Sequence, residues 1–154
     1  MIGYDGDSSE AIVDVHHRDH PESRHRGDNG ISLLTTGHYA LMRGRFGSHV
    51  HDGIAAENVL VERTGWLDLR DLMGGVGIVP GSGTEAAGGL LLAGASPVQP
   101  CVEFSRVVSG AASGSQREPL AQLRDGMRGY YLQVDGDIGP VLHERDWVVA
   151  CRGE

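Results

Sequence analysis

Glycine recurs so densely along this chain that long uninterrupted helices have no room to form. Of 154 residues 24 are glycine, and the apolar runs between them are short. Alternating or fully apolar stretches occupy residues 11–15, 31–36, 58–62, 90–93, 102–108, 129–134 and 146–150, each bounded by turn-forming residues. The steady strand–helix alternation that announces a parallel sheet is missing. Two short helices are expected. One covers residues 38–45, capped by Thr36 and stopped by Gly47; the other covers 118–124, with Pro119 early enough that its missing N–H costs little. Residues 67–72 read as a half-buried strand or a turn of helix, 73–89 as loose glycine-rich chain, and 109–116 as a Gly/Ala/Ser linker. Residues 129–134 and 146–150 read as two strands around the turn Asp135-Gly136-Asp137. The expected architecture is mostly β: a small, closed or nearly closed β-barrel with one or two short appended helices, a single domain over residues 1–154.

Charge and composition narrow the chemistry. The formal net charge is −8, which argues against a nucleic-acid phosphate backbone as partner. All 13 basic residues are arginine. Without lysine there is no Schiff base to pyridoxal phosphate, no P-loop lysine and no lysine general base. No apolar run approaches the ~20 residues that span a bilayer, and no charged-then-apolar leader opens the sequence, so a cytoplasmic protein without membrane contact is expected. The two cysteines, Cys101 and Cys151, make no disulfide framework and are too few for a four-thiolate iron–sulfur cluster. Nucleophile-elbow and dinucleotide-binding glycine patterns are also missing; Gly74-Gly75-Val76-Gly77 is followed by Pro80, which spoils a helix start.

One segment carries a positioned thiol. The apolar run Gly89-Leu90-Leu91-Leu92-Ala93-Gly94 leads into Pro97-Val98-Gln99-Pro100-Cys101, and residues 102–108 are expected to continue as strand. Each proline fixes its own φ and biases the preceding residue toward extended backbone. Such a turn holds a sulfur in a defined place near the surface, as a metal ligand or sulfur-handling group requires. The competing reading is a small buried hydrophobe.

In order along the chain, several pieces resemble the MOSC family, named for the C-terminal domain of molybdenum cofactor sulfurase. Gly3-Tyr4-Asp5-Gly6-Asp7 is similar to the family's Gly-x-x-Gly-Asp element, and Ile31-Ser32-Leu33-Leu34-Thr35-Thr36-Gly37-His38-Tyr39 to its strand-to-helix unit. Ala56-Glu57-Asn58-Val59-Leu60-Val61 resembles its Glu-Asn strand, Gln99-Pro100-Cys101 its cysteine turn, and Gly126-Met127-Arg128-Gly129-Tyr130-Tyr131 with Asp146-Trp147-Val148-Val149 its last strands. The resemblance implies a barrel-like fold whose cysteine ligates molybdenum in a pterin cofactor or carries persulfide sulfur. Some such proteins reduce N-hydroxylated compounds, with a redox or sulfur-transfer partner.

On that reading Cys101 is the catalytic residue and the metal ligand. Arg24, Arg26, Arg106 and Arg128 would meet the cofactor's phosphate and oxo groups through charge-assisted forks, while Asp28, Asn29 and Asn58 would hydrogen-bond the pterin ring. The chain departs from the family pattern in three places. It begins almost on the Gly-x-x-Gly-Asp element, lacking the family's extreme N-terminal segment, which would leave an open sheet edge and favour a homodimer through that edge. Ala55-Ala56 replaces the usual aromatic-glycine pair, and Val102-Glu103 lacks a basic residue often found after the cysteine. Two other readings stay open. One is a non-catalytic binding module that kept the barrel and lost the chemistry. The other is zinc held by the loop of His16, His17, His20 and His25; His49-Val50-His51-Asp52 resembles the opening of a zinc-hydrolase motif, but Gly53 and Ile54 follow where that motif needs its next histidine, so it fails.

Overall fold

The computed structural model describes residues 2–4, 11–13, 21, 30–79, 81, 89–110, 115–134 and 146–151. Among these residues eight strands and three helices follow one another as β1 (Ile2–Tyr4), β2 (Ala11–Val13), β3 (Ile31–Thr35), α1 (Thr36–Phe46), β4 (Val59–Val61), a 3-10 turn (Leu69–Leu72), β5 (Val76–Val79), β6 (Leu90–Pro97), α2 (Val102–Ser109), α3 (Arg117–Gln122), β7 (Tyr130–Val134) and β8 (Trp147–Ala150). β1 and β2 pair as a separate antiparallel ribbon. The other six strands form one sheet in the order β4-β3-β7-β6-β5-β8, curled into a nearly closed barrel. The mostly β barrel with short appended helices expected from the sequence is the fold observed.

Among the described residues the one parallel pair is β3 with β4, in register Leu33 with Val59 and Leu34 with Leu60. Parallel neighbours need a crossover, and α1 supplies it. β3 is buried on both faces, which is why its sequence reads as an unbroken apolar run. Leu33 joins Tyr130, Leu132, Leu92, Leu90, Val76, Ile78, Leu67 and Leu72 in one core. Leu34 joins a second core with Tyr39, Met42, Val50, Ala55, Phe104, Val108, Leu123 and Met127, where α1 and α2 pack against the sheet. β6 runs between β5 and β7, and its register slips between Ala93 and Ser96, where Gly94 takes φ +64°.

Four local expectations need correcting. Residues 102–108 are helical, as α2, not strand. The β-branched Val102, Val107 and Val108 favoured strand, but Phe104 and Val108 are buried one helical turn apart and Gly110 closes the helix in the left-handed conformation. Residues 76–79, expected within a loop, form β5 between β6 and β8. β7 and β8 do not pair as a hairpin: β7 lies between β3 and β6, and β8 pairs with β5. Helix α1 is capped by Thr35, whose hydroxyl accepts from the His38 amide while His38 Nδ1 accepts from the Thr35 amide. Thr36 instead exchanges two 3.0 Å hydrogen bonds with the Arg63 backbone. The Asp135-Gly136-Asp137 turn lies outside the described residues.

Candidate functional site

Two hydrogen-bonded anchors place Cys101. The Val98 amide donates to the Gly129 carbonyl at 2.9 Å, pinning the end of β6 against the turn before β7. Cys101 then adopts extended backbone, φ −95° and ψ 161°, as the N-cap of α2, with its Sγ accepting from the Phe104 amide at 3.3 Å and its carbonyl accepting from Ser105. The residue is exposed. A cysteine is an unusual cap, since its sulfur is a weak acceptor beside Ser, Thr or Asp. It sits where the unsatisfied amides of a helix favour negative charge.

Behind the cysteine lies a polar chain that starts at Arg128. Its guanidinium carbon stands 4.2 Å from the centre of the Phe104 ring, a cation–π contact on the first turn of α2. Nη2 donates to the Ala55 carbonyl at 2.7 Å. The Ala55 amide donates to the Tyr39 hydroxyl at 3.1 Å, and that hydroxyl donates to Glu57 Oε2 at 2.6 Å. Burial works against the charge on Arg128 and lowers its pKa, while Tyr131, Tyr39, Cys101 and Glu57 act in the opposite sense. Arginine stays protonated under any such shift. Tyr39 is pushed well above the usual phenol range by burial and by Glu57, so it remains a donor. Two atoms of this chain, Arg128 Nη1 and Glu57 Oε1, are buried with no hydrogen-bond partner.

Backbone strain sits beside this network. Ala56, between Ala55 and Glu57, has φ +52°, a left-handed conformation that L residues with a side chain resist. Its amide is tied to the Gly53 carbonyl at 2.9 Å, which holds the turn that delivers Glu57. Ala56→Gly is expected to stabilise the protein by about 0.5–1 kcal/mol, the relief of the left-handed strain less the extra freedom of glycine in the unfolded chain. Equilibrium denaturant unfolding measures it.

The remaining candidates separate. Asn58 closes the β3–β4 pair: its Oδ1 accepts from the Ser32 amide at 2.9 Å and the Ser32 hydroxyl at 3.0 Å. That carbonyl is already engaged within the sheet. Arg106 is exposed in the last turn of α2, about 7.5 Å along the axis from Cys101, where its charge suits the helix dipole. Arg24, Arg26, Asp28, Asn29 and the histidines 16, 17, 20 and 25 lie outside the described residues. His49 Nε2 pairs with the Val108 carbonyl at 2.9 Å and His51 Nδ1 with the Asp52 carbonyl at 3.0 Å, so the two rings serve different backbone groups. Among the described residues no cluster of three or more His, Cys, Asp or Glu side chains converges as a metal cage.

Of the site residues expected from sequence, the structure therefore brings Arg128 into the electrostatic surroundings of Cys101. It adds Tyr39, Ala55 and Glu57, which sequence reasoning left out. Glu57 carried a signal, a carboxylate immediately before an apolar strand. Tyr39 carried only its place on the inward face of α1. No family model, no curated protein and no solved structure matches the chain. Among the described residues no helix is long and apolar enough to cross a membrane.

Proposed function

We propose that this chain is a MOSC-like domain in which Cys101 is the protein thiolate of a molybdenum–pterin cofactor. The observation that carries the reading is an exposed sulfur at the amino end of α2 with the partly unsatisfied Arg128 guanidinium behind it. Those donors fit such a group. A thiolate is the soft ligand molybdenum takes alongside the cofactor's own sulfurs, and a guanidinium with an orphaned Nη1 is the donor its oxo, phosphate or ring oxygens need. When bound, the cofactor supplies oxygen-atom abstraction from N-hydroxylated compounds, with electrons delivered by a separate redox partner. The chain's own part is to hold the sulfur on a fixed cap, to keep Arg128 charged against its burial, and to keep Tyr39 protonated so that Glu57 stays oriented. The strands β4 and β8, which end the six-stranded sheet among the described residues, are those through which a homodimer would pair.

Persulfide carriage on Cys101 uses the same sulfur without the metal. Molybdenum, extracted pterin and cyanide-labile sulfur, measured on protein from a host that makes the cofactor, separate the cases. About one molybdenum and one pterin per chain are expected, with the molybdenum lost in Cys101→Ala. Labile sulfur without molybdenum, again lost in Cys101→Ala, would replace the cofactor reading with the carrier one. Neither cargo in a folded sample would leave the barrel as a binding module without this chemistry.

A further inference from the structure

β8 ends the six-stranded sheet, and among the described residues no strand pairs with its outer edge. Its register with β5 is continuous from Trp147 opposite Val79 to Ala150 opposite Val76, and the Cys151 amide donates to the Gly75 carbonyl at 2.9 Å. Hydrogen-bonded and non-bonded pairs alternate along an antiparallel ladder, so the backbone groups of Trp147, Val149 and Cys151 turn toward β5. Those of Val148 and Ala150 therefore turn outward, away from the sheet. Natural proteins guard such edges with a charge, a proline or a bulge, and Trp147-Val148-Val149-Ala150-Cys151 has none of them. Its side chains are apolar and open as well: Trp147 is 67% exposed and Val149 51%, on the face where Val79 and Leu91 are also exposed. β4, at the other end of the sheet, is only three residues long and runs directly into exposed Glu62 and Arg63.

We propose that β8 is the docking edge for β8 of a second copy of this chain, joined antiparallel about a two-fold axis through Val149 so that the two sheets become one. A two-fold axis perpendicular to the sheet keeps the outward faces on the same side, so it pairs outward residues with outward and inward with inward. Centred on Val149, it sets that residue opposite its own copy, Trp147 opposite Cys151, and Val148 opposite Ala150. The last pair carries the outward-turned groups, so Val148 and Ala150 exchange N–H···O bonds with Ala150 and Val148 of the other copy. Charge argues for this occupant. The strand is uncharged between Asp146 and, in sequence, Arg152, so its two ends carry opposite signs. An antiparallel copy brings unlike ends together, where a parallel one would bring like ends together. Trp147 supplies most of the apolar surface that the joint removes from water, reaching Cys151 of the other copy and, on the diagonal, its Val149. One strand pair with one aromatic from each side falls short of the ~1,200–2,000 Å² of a standard stable interface, so the dimer is a weak one, dissociating in the micromolar range. No residue of the joint belongs to the Cys101 site, so it stands or falls apart from the cofactor reading, and of the two end strands it selects β8.

Sedimentation velocity of the whole chain over a micromolar concentration series is the test. The wild type is expected to shift from monomer to dimer as concentration rises. Ala150→Pro removes an outward N–H, which an edge strand tolerates in the monomer, and is expected to weaken dimerisation at least about tenfold. Val149→Arg sets like charges directly opposite across the axis and is expected to do the same without touching the core. Leu60→Arg, on the exposed side of β4, is expected to dimerise like the wild type. Cysteines read the register. With Cys101→Ser and Cys151→Ser in place, Val149→Cys is expected to form a disulfide dimer when diamide is added as oxidant, because the two sulfurs meet at the axis. With Cys101→Ser alone, the two Cys151 residues stand about 13 Å apart along the strands, too far for a disulfide, and are expected not to bridge. Thermal unfolding confirms that each variant folds. A wild type that stays monomeric throughout the series overturns the proposal, as does a dimer that survives Val149→Arg or one lost in Leu60→Arg. A dimer that bridges through Cys151, or whose Val149→Cys form does not bridge, overturns the register.

Discussion

Gly37→Ala is expected to destabilise the protein by about 3 kcal/mol, although alanine is the better helix former by about 1 kcal/mol. Gly37 lies in the first turn of α1 and is buried. A methyl group built on it would overlap the backbone of Gly65, including its carbonyl oxygen and carbon. Those atoms are main chain and cannot swing aside as a flexible side chain would. Either α1 moves off the loop after β4 or that loop shifts, and both open the core around Leu34, Tyr39 and Met42. Gly44, on the exposed side of the same helix, would carry a methyl group with nothing within 4 Å of it. There only the propensity remains, so Gly44→Ala is expected to stabilise by up to about 1 kcal/mol. The opposite signs at two glycines of one helix are the test. Chemical denaturation of the two variants reads them directly, and a stabilised Gly37→Ala would show that α1 does not sit against Gly65 as described. Because Tyr39 follows two residues later, the destabilised variant should also lose the hold on Glu57.

These two glycines also show what the sequence could and could not say. Glycine density and short apolar runs led to a mostly β barrel, because both are local properties that the strands express directly. The doubly buried β3 was legible as an unbroken apolar run. Strand pairing was less so: β7 and β8 looked like neighbours because they are close in sequence, whereas β8 pairs with β5 and β7 with β3 and β6. In residues 102–108 the valines favour strand, while the Phe104–Val108 spacing and Gly110 favour the helix that forms. At the site, Cys101 stood out by its prolines and Arg128 by its motif. Glu57 did not, since its role depends on Tyr39 and Ala55, and nothing local in the sequence says that a tyrosine on α1 will meet a carboxylate before β4. Gly37 gave no sign that Gly65 would press against it.

Acid is expected to weaken this protein through His38, by up to about 3 kcal/mol between pH 7.5 and pH 4. The ring is fully buried, stacked on Trp66 with centroids 5.5 Å apart and set edge-on to Tyr130 at 6.1 Å. Its Nδ1 accepts from the Thr35 amide, so in the neutral ring the proton belongs on Nε2, which is sealed from water without a hydrogen-bond partner. Burial, the largest influence, and the positive charge of Arg63 lower its pKa to about 4, although the Leu67 and Gly126 carbonyls pull the other way. The unfolded chain takes up a proton near the ordinary 6.5 while the folded one refuses it until about 4. The stabilisation is therefore complete above the unfolded value and is lost as pH falls from 6.5 toward 4. Below that the dependence from this group ends, because both states are protonated. Other carboxylates and histidines titrate over the same range, so the measurement is a comparison with His38→Gln. Glutamine at this position can keep the capping box with Thr35 and cannot titrate. The variant gives up the stacking on Trp66 and should be less stable at pH 7.5, but its stability should fall with acid by about 3 kcal/mol less than the wild type's. Equal falls in the two proteins would mean that the ring accepts a proton in place. The same loss reaches the site, for His38 caps the helix turn that carries Tyr39, and loosening that turn removes the hydroxyl that orients Glu57.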